Sequence, residues 1–276
     1  MYNTYIRRGG IKMYRIFDAH THIYPDKIAQ KASNAIGEFY DIQMHFDGTC
    51  DTLLKLGEEH HVDKHLVHSV ATNAHQVTSI NNFIISQVQL HPDKFIGFAT
   101  LHQDFENPAE EIKRVKDAGL MGVKLHPDFQ KFEISDTKMD EAYAAMAEFN
   151  MPVLFHTGDK RYNWSNPMHV PVILRRHPRL KVICAHFGAY SQWDDAADCL
   201  KGESVWVDTS SSFFMISDEQ AKKYISLYGE EKVLFGSDYP MWNVGDEIQN
   251  ILRLGLTDKQ NEKIFSGNLS NLLGIQ

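Results

Sequence analysis

The stretch Asp18-Ala19-His20-Thr21-His22 closes a short apolar run near the N-terminus. Successive side chains of a strand alternate faces, so His20 and His22, two positions apart, point to one side. Two imidazoles on one side of a strand can grip a single ion, and neutral imidazole is the commonest biological metal ligand. A divalent ion held by His and carboxylate, with one position open, turns water into a nucleophile near neutral pH. With fifteen histidines in the chain, a chance H-x-H is common. The pair gains meaning only from where the other candidate ligands fall.

Eight short β-branched or apolar runs end in or near a polar residue: Tyr14 to His20, Lys64 to Val70, Phe95 to Leu101, Gly122 to His126, Pro152 to His156, Lys181 to His186, Val205 to Asp208 and Val233 to Asp238. From His126 to His156, His156 to His186, and Asp208 to Asp238 the spacing is thirty residues, the length of one strand-helix-strand repeat. Helical patterns lie between most runs. Asn107-Pro108 with Glu110 and Glu111 reads as a helix start, and Gly119 as its end; Asp136 opens another helix. Ser217-x-x-Gln220 and Thr257-x-x-Gln260 have capping-box form. Strands alternating with helices predict a parallel sheet covered by helices, and eight such units close into an α/β fold, the (β/α)8 TIM barrel. The region from Ile23 to Asp63 exceeds a simple crossover, which predicts a helical insertion after the first strand, placed near the barrel mouth as a lid.

Composition fits one domain over residues 14–276. Hydrophobic residues make up 43% of the 276, and no linker or low-complexity tract divides the chain. Residues 1–13 read as an N-terminal extension, disordered or crossing over, with Met13 an alternative start. They lack the apolar segment of a signal peptide. Cys50, Cys184 and Cys199 form no C-x-x-C pair, which favours a reducing cytoplasm. No apolar run reaches membrane length. The net charge of −8 argues against a nucleic-acid surface, leaving a small-molecule partner, with a homo-oligomer left open.

In such a barrel the catalytic groups stand at the C-terminal ends of the strands. Here those ends read His20 and His22, His126, His156, His186, Asp208 and Asp238. Any one alone is readily a satisfied core histidine or a capping aspartate. Converging together they would leave several buried polar groups unpaired, at about 1 to 3 kcal/mol each, unless they bind something.

The motifs D-A-H-T-H, G-V-K-L-H-P, F-H-T-G, C-A-H-F-G and F-G-S-D-Y-P occur in that order on those strands. Together they resemble the amidohydrolase superfamily of metal-dependent enzymes, in its amidohydrolase 2 branch, which includes aminocarboxymuconate-semialdehyde decarboxylase, resorcylate decarboxylases and lactone hydrolases. The match runs from about Tyr14 to Leu273. The resemblance implies that His20, His22, His156 and Asp238 surround one divalent ion, usually zinc. Asp238 would also act as the proton-accepting group, and His186 would polarise the substrate or stabilise its developing charge. In two-metal branches a strand-4 lysine is carboxylated to bridge two ions, which would use Lys124, His156 and His186; the alternative is Lys124 as an ammonium paired with an acid or an anionic substrate. His126 is then a pocket residue.

Phe129, Tyr162, Trp164, Trp193, Tyr239 and Trp242 follow strand ends and are expected to wall a small cleft, with Phe129, Trp164, Tyr239 and Trp242 as the pocket set; the plainer reading packs half of them under loops. Lys160 and Arg161 hint at a carboxylated substrate, against the plainer reading of a solvated loop. Gly188-Ala189-Tyr190 departs from the double glycine of many relatives, so the pocket mouth should differ. Three function classes follow: a hydrolase attacking an ester, lactone or amide carbonyl with metal-activated water; a decarboxylase or hydratase, hence a lyase, on the same ligands; and a non-catalytic barrel. The breadth of the superfamily puts the hydrolase first.

Overall fold

The computed structural model describes residues 13–276 and the backbone of Ile6–Arg7 and Gly10–Ile11, which form a short antiparallel pair. The expected extension over residues 1–13 otherwise lies outside the described residues, apart from exposed Met13.

Eight strands follow in chain order: β1 (Phe17–His22), β2 (Lys64–His68), β3 (Phe95–Thr100), β4 (Gly122–Leu125), β5 (Val153–Phe155), β6 (Val182–Cys184), β7 (Val205–Asp208) and β8 (Val233–Leu234). Each pairs in parallel with the next. The ring is completed beyond the last ladder residues. Ala19 N donates to Phe235 O, Asp238 N to His20 O, and His22 N to Tyr239 O, joining the first strand to the segment after the last. The fold is a single-domain (β/α)8 barrel, as the thirty-residue spacing predicts.

Two apolar layers hold it. Phe17, Ala19, Leu66, Phe98, Leu154, Ile183 and Leu234 fill the barrel interior, where Leu269 and Leu272 of the last helix also pack. Outward-facing Val67, Val123, Val153, Val182 and Val207 pack with the surrounding helices. The two sets alternate along the strands, as a sheet buried on both faces requires. Interior positions nearer the strand ends are polar instead, and there the apolar filling gives way to the site.

Helix ends mostly follow the sequence. Ser217 and Gln220, and Thr257 and Gln260, form both expected capping boxes. Asn107 instead takes a left-handed conformation and makes no side-chain cap. Pro108 and the two acids of the first turn still start that helix. After Asp136 a 3-10 turn, Thr137–Met139, precedes the helix Asp140–Glu148. Between β1 and β2 lie two helices, α1 (Asp26–Tyr40) and α2 (Cys50–Glu59). The insertion is therefore helical, and the end of α1 reaches the barrel mouth through Ile36 and Tyr40. No helix among the described residues is long and apolar enough to cross a membrane.

Candidate metal and catalytic centre

The strand ends bring His20, His22, Lys124, His126, His156, His186 and Asp238 around one cavity, joined by Tyr40, Phe129 and Tyr190. The space between them is about 20 Å³, room for a water or an ion and not for an organic acid.

His20 is held at both ring nitrogens. Its Nδ1 lies 2.9 Å from Asp208 Oδ2 and 3.0 Å from Ser210 Oγ; its Nε2 faces the Lys124 ammonium at 3.0 Å and Asp238 Oδ1 at 3.5 Å. A proton on Nδ1 shared with Asp208 leaves the Nε2 lone pair facing inward. Asp238 Oδ1 also lies 3.5 Å from His22 Nε2, while Asp238 Oδ2 accepts from Ser211 Oγ at 2.5 Å. Trp242 Nε1 donates to the same Ser211 hydroxyl at 2.8 Å.

On the opposite wall His156 Nδ1 meets His186 Nε2 at 3.0 Å, and His186 Nδ1 lies 3.0 Å from Ser210 O. The His156 ring stacks on His126 at 4.0 Å, and His126 on Phe129 at 3.7 Å. From α1, Tyr40 Oη lies 2.9 Å from His126 Nε2 and 3.3 Å from His156 Nε2. His186 and Asp238 both occupy the left-handed backbone region, at φ 62° each. For residues other than glycine that conformation is uncommon and costs about 1 to 3 kcal/mol, and it turns both side chains off their strands into the mouth.

Burial sets the charges. It drives His20, His22, His126 and His156 well below the usual imidazole pKa, with the Lys124 charge among the further causes, and it lowers His186 to about 4. The imidazoles are thus neutral, the form that ligates a metal. Burial raises Asp238 to about 6 against the opposing hydrogen bond from Ser211, and lowers Lys124 to about 8 against the pull of Asp238 and Asp208.

These donors fit a divalent ion. Neutral imidazoles and a carboxylate share a buried pocket, a cation already faces the inward nitrogen of His20, and His22 Nδ1 is buried without a hydrogen-bond partner. Among the described residues three groups bring ligand atoms within 4.8 Å of one another: His20, His22 and His68; His20, His186 and Asp208; and Asp128, His156 and Asp159. His156 therefore lines the same cavity as His20 and His22 but falls in another of these groups, drawn toward Asp128 Oδ2 at 3.7 Å.

Of the expected pocket set, Phe129 lines the cavity and the other three do not. Tyr239 turns its hydroxyl to Thr49 O at 2.8 Å and packs on Phe46; its fully buried ring supports the loop between α1 and α2. Trp164 is 37% exposed, away from the site. Trp242 packs against Phe214 at a tilt, behind Ser211. Of the other aromatics, Tyr162 stacks on Phe39 and Trp193 donates its Nε1 to His186 O at 2.9 Å. Lys160 is exposed, and Arg161 pairs with Asp159 instead of facing the cavity. His68, Asp208 in its bond to His20, and Tyr40 were not singled out as site residues by the motifs. A polar residue at a strand end marks the first two; Tyr40 carries no local signal.

The family described as Amidohydrolase matches residues 17–275 of the chain. A 2-amino-3-carboxymuconate-6-semialdehyde decarboxylase of Dictyostelium discoideum is 23% identical over 242 residues, taking in 71% of this chain and 66% of its own length. A gamma-resorcylate decarboxylase of a Polaromonas species is 21% identical over 253 residues, taking in 71% of this chain and 75% of its own. Among solved structures, a dihydroxybenzoic acid decarboxylase of Polaromonas with bound manganese and 2-nitroresorcinol superimposes with a TM-score of 0.72 at 17% identity, covering 95% of this chain and 97% of that one.

Proposed function

The chain belongs to the amidohydrolase family, and from that membership we propose that it carries out the metal-dependent, non-oxidative decarboxylation of a small carboxylated substrate with an unsaturated or aromatic skeleton. The observation that carries this reading is that the two relatives described above are named as decarboxylases of such acids. It reverses the order expected from the breadth of the superfamily, which put hydrolysis first.

In this reading His20, His22, His156 and Asp238 hold the ion, zinc or, as in the Polaromonas structure, manganese. When bound, the ion supplies Lewis-acid chemistry, binding substrate oxygens and offsetting their negative charge. The remaining work falls to the side chains. Asp238, beside the ion at the cavity wall, is the group placed to relay a proton to the carbon that bears the carboxylate. The bond from that carbon to the carboxylate then breaks, its electrons stay with the skeleton, and carbon dioxide leaves. His186, neutral and donating its Nδ1–H to Ser210 O, keeps an Nε2 lone pair on the cavity side, where it accepts a hydrogen bond from a substrate hydroxyl. Lys124 adds the positive charge an anionic substrate needs in a buried site.

The cavity of about 20 Å³ gives α1 its role as the lid: Tyr40 and Ile36 must withdraw before such an acid can enter. The test is product mass over a panel of aromatic and unsaturated carboxylic acids and lactones, with purified protein loaded with zinc or manganese. Loss of carbon dioxide supports the reading. Gain of water selects the hydrolase, and protein that binds neither ion defeats both.

A further inference from the structure

His68 ends β2 directly beside the metal-binding strand, in register with His22. It is fully buried, and neither of its ring nitrogens has a hydrogen-bond partner. His22 Nδ1, also buried, has none either. The His68 ring meets that of His22 at 4.4 Å and 90°, and that of His20 at 5.0 Å and 69°. One ligand nitrogen from each of the three lies within 4.8 Å of the others.

A neutral imidazole has one donor and one acceptor, and burying both without partners is unfavourable. Other buried histidines of the site find them: His20 in Asp208, His186 in Ser210 O, His126 in Tyr40. His65, three positions earlier on the same strand, sits on the opposite face, with Nε2 against Gly57 of α2. The unpaired nitrogens of His22 and His68 are thus gathered where β1 and β2 run side by side. A cation is the one partner that satisfies lone pairs from several imidazoles at once.

We propose that His68 is a further ligand of the metal centre, forming a three-imidazole face with His20 and His22 across β1 and β2. This rests on the metal-dependent reading above and adds β2 to the strands that supply its ligands.

The test compares zinc affinity, by competition with a chromophoric chelator, and the visible spectrum of the cobalt-loaded protein for wild type, His68→Asn and His68→Gln. Loss of a group that merely orients a ligand weakens metal affinity by about 10- to 100-fold, so loss of a ligand should weaken it by at least about tenfold. The cobalt absorption should shift in both variants, and zinc should raise their thermal midpoints less than it raises that of wild type. Unchanged affinity and an unchanged cobalt spectrum would reduce His68 to packing and overturn the assignment. Should both variants fail to fold, a zinc-soaked crystal of the wild type decides: zinc about 2.0 to 2.1 Å from a His68 nitrogen is expected, and zinc held by His20 and His22 without it overturns the proposal. Wild-type protein that takes up no divalent ion is a different result, because it removes the metal-dependent reading itself.

Discussion

Asp208 grips His20 by the ring nitrogen turned away from the cavity, at 2.9 Å, so the other nitrogen is presented to Asp238. An Asp208→Asn variant can offer an amide N–H to the same nitrogen, which would move the ring proton to the inward side and remove the lone pair a metal needs. Metal affinity should fall by about 10- to 100-fold with the fold retained, as measured by chelator competition and circular dichroism. Unaltered affinity would show that the tautomer is set elsewhere.

His186 bridges His156 and the backbone at Ser210. His186→Asn should keep the metal while lowering turnover by about a hundredfold to ten-thousandfold, the range of a positioned proton-transfer or charge-stabilising group. Elemental analysis beside steady-state kinetics checks it. A fall from two metals to one would instead make His186 a ligand and Lys124 a carboxylated bridge.

Arg161 pins the lid. Its guanidinium lies 4.5 Å from the Phe39 ring centroid and donates to Phe39 O at 2.6 Å, at the end of α1. Arg161→Ala should loosen this end by about 1 kcal/mol, given how exposed the arginine is, so local opening rises about fivefold. Hydrogen exchange at Asp41 and Ile42, whose amides bond to Gly37 O, reports it directly.

Glu247 is buried, with Oε2 unpartnered, and burial raises its pKa from the ordinary 4.5 to about 8. Between those values the unfolded chain has released the proton that the native state keeps, so the unfolded state binds fewer protons and stability falls as pH rises. Glu247→Gln removes this contribution. The thermal midpoint of the variant relative to wild type should therefore climb from pH 5 to pH 8, by at least about 2 °C. A difference that stays flat with pH would rule out the carboxyl as its source.

The barrel was legible because every strand carries its apolar run up to a polar end, and because His126, His156 and His186 repeat at equal spacing. Six of the eight runs were read too long at their C-terminal ends, whereas the first stopped two residues short of His22. Asp238 and His186 lie past the paired residues, on left-handed turns that no hydrophobic period encodes. The pocket walls were least legible: Tyr239 follows Asp238 directly yet points under a loop, whereas Tyr40 enters the site from a helix whose sequence bears no mark of it. His68 ends a strand that was read two residues too long, to Val70, which made it look like an interior position. Its apolar neighbours gave no reason to separate it from an ordinary core histidine.

The join between the first and last strands bears on how the protein is made. Asp18 and Ser237, 219 positions apart, are tied by hydrogen bonds from the Ser237 amide and hydroxyl, and the backbone of His20 meets that of Asp238 beside them. A chain still emerging from the ribosome carries its histidine pair long before the aspartate, with the intervening barrel strands made between them. The ion site proposed above is therefore complete only once the first strand and the segment after the last have met.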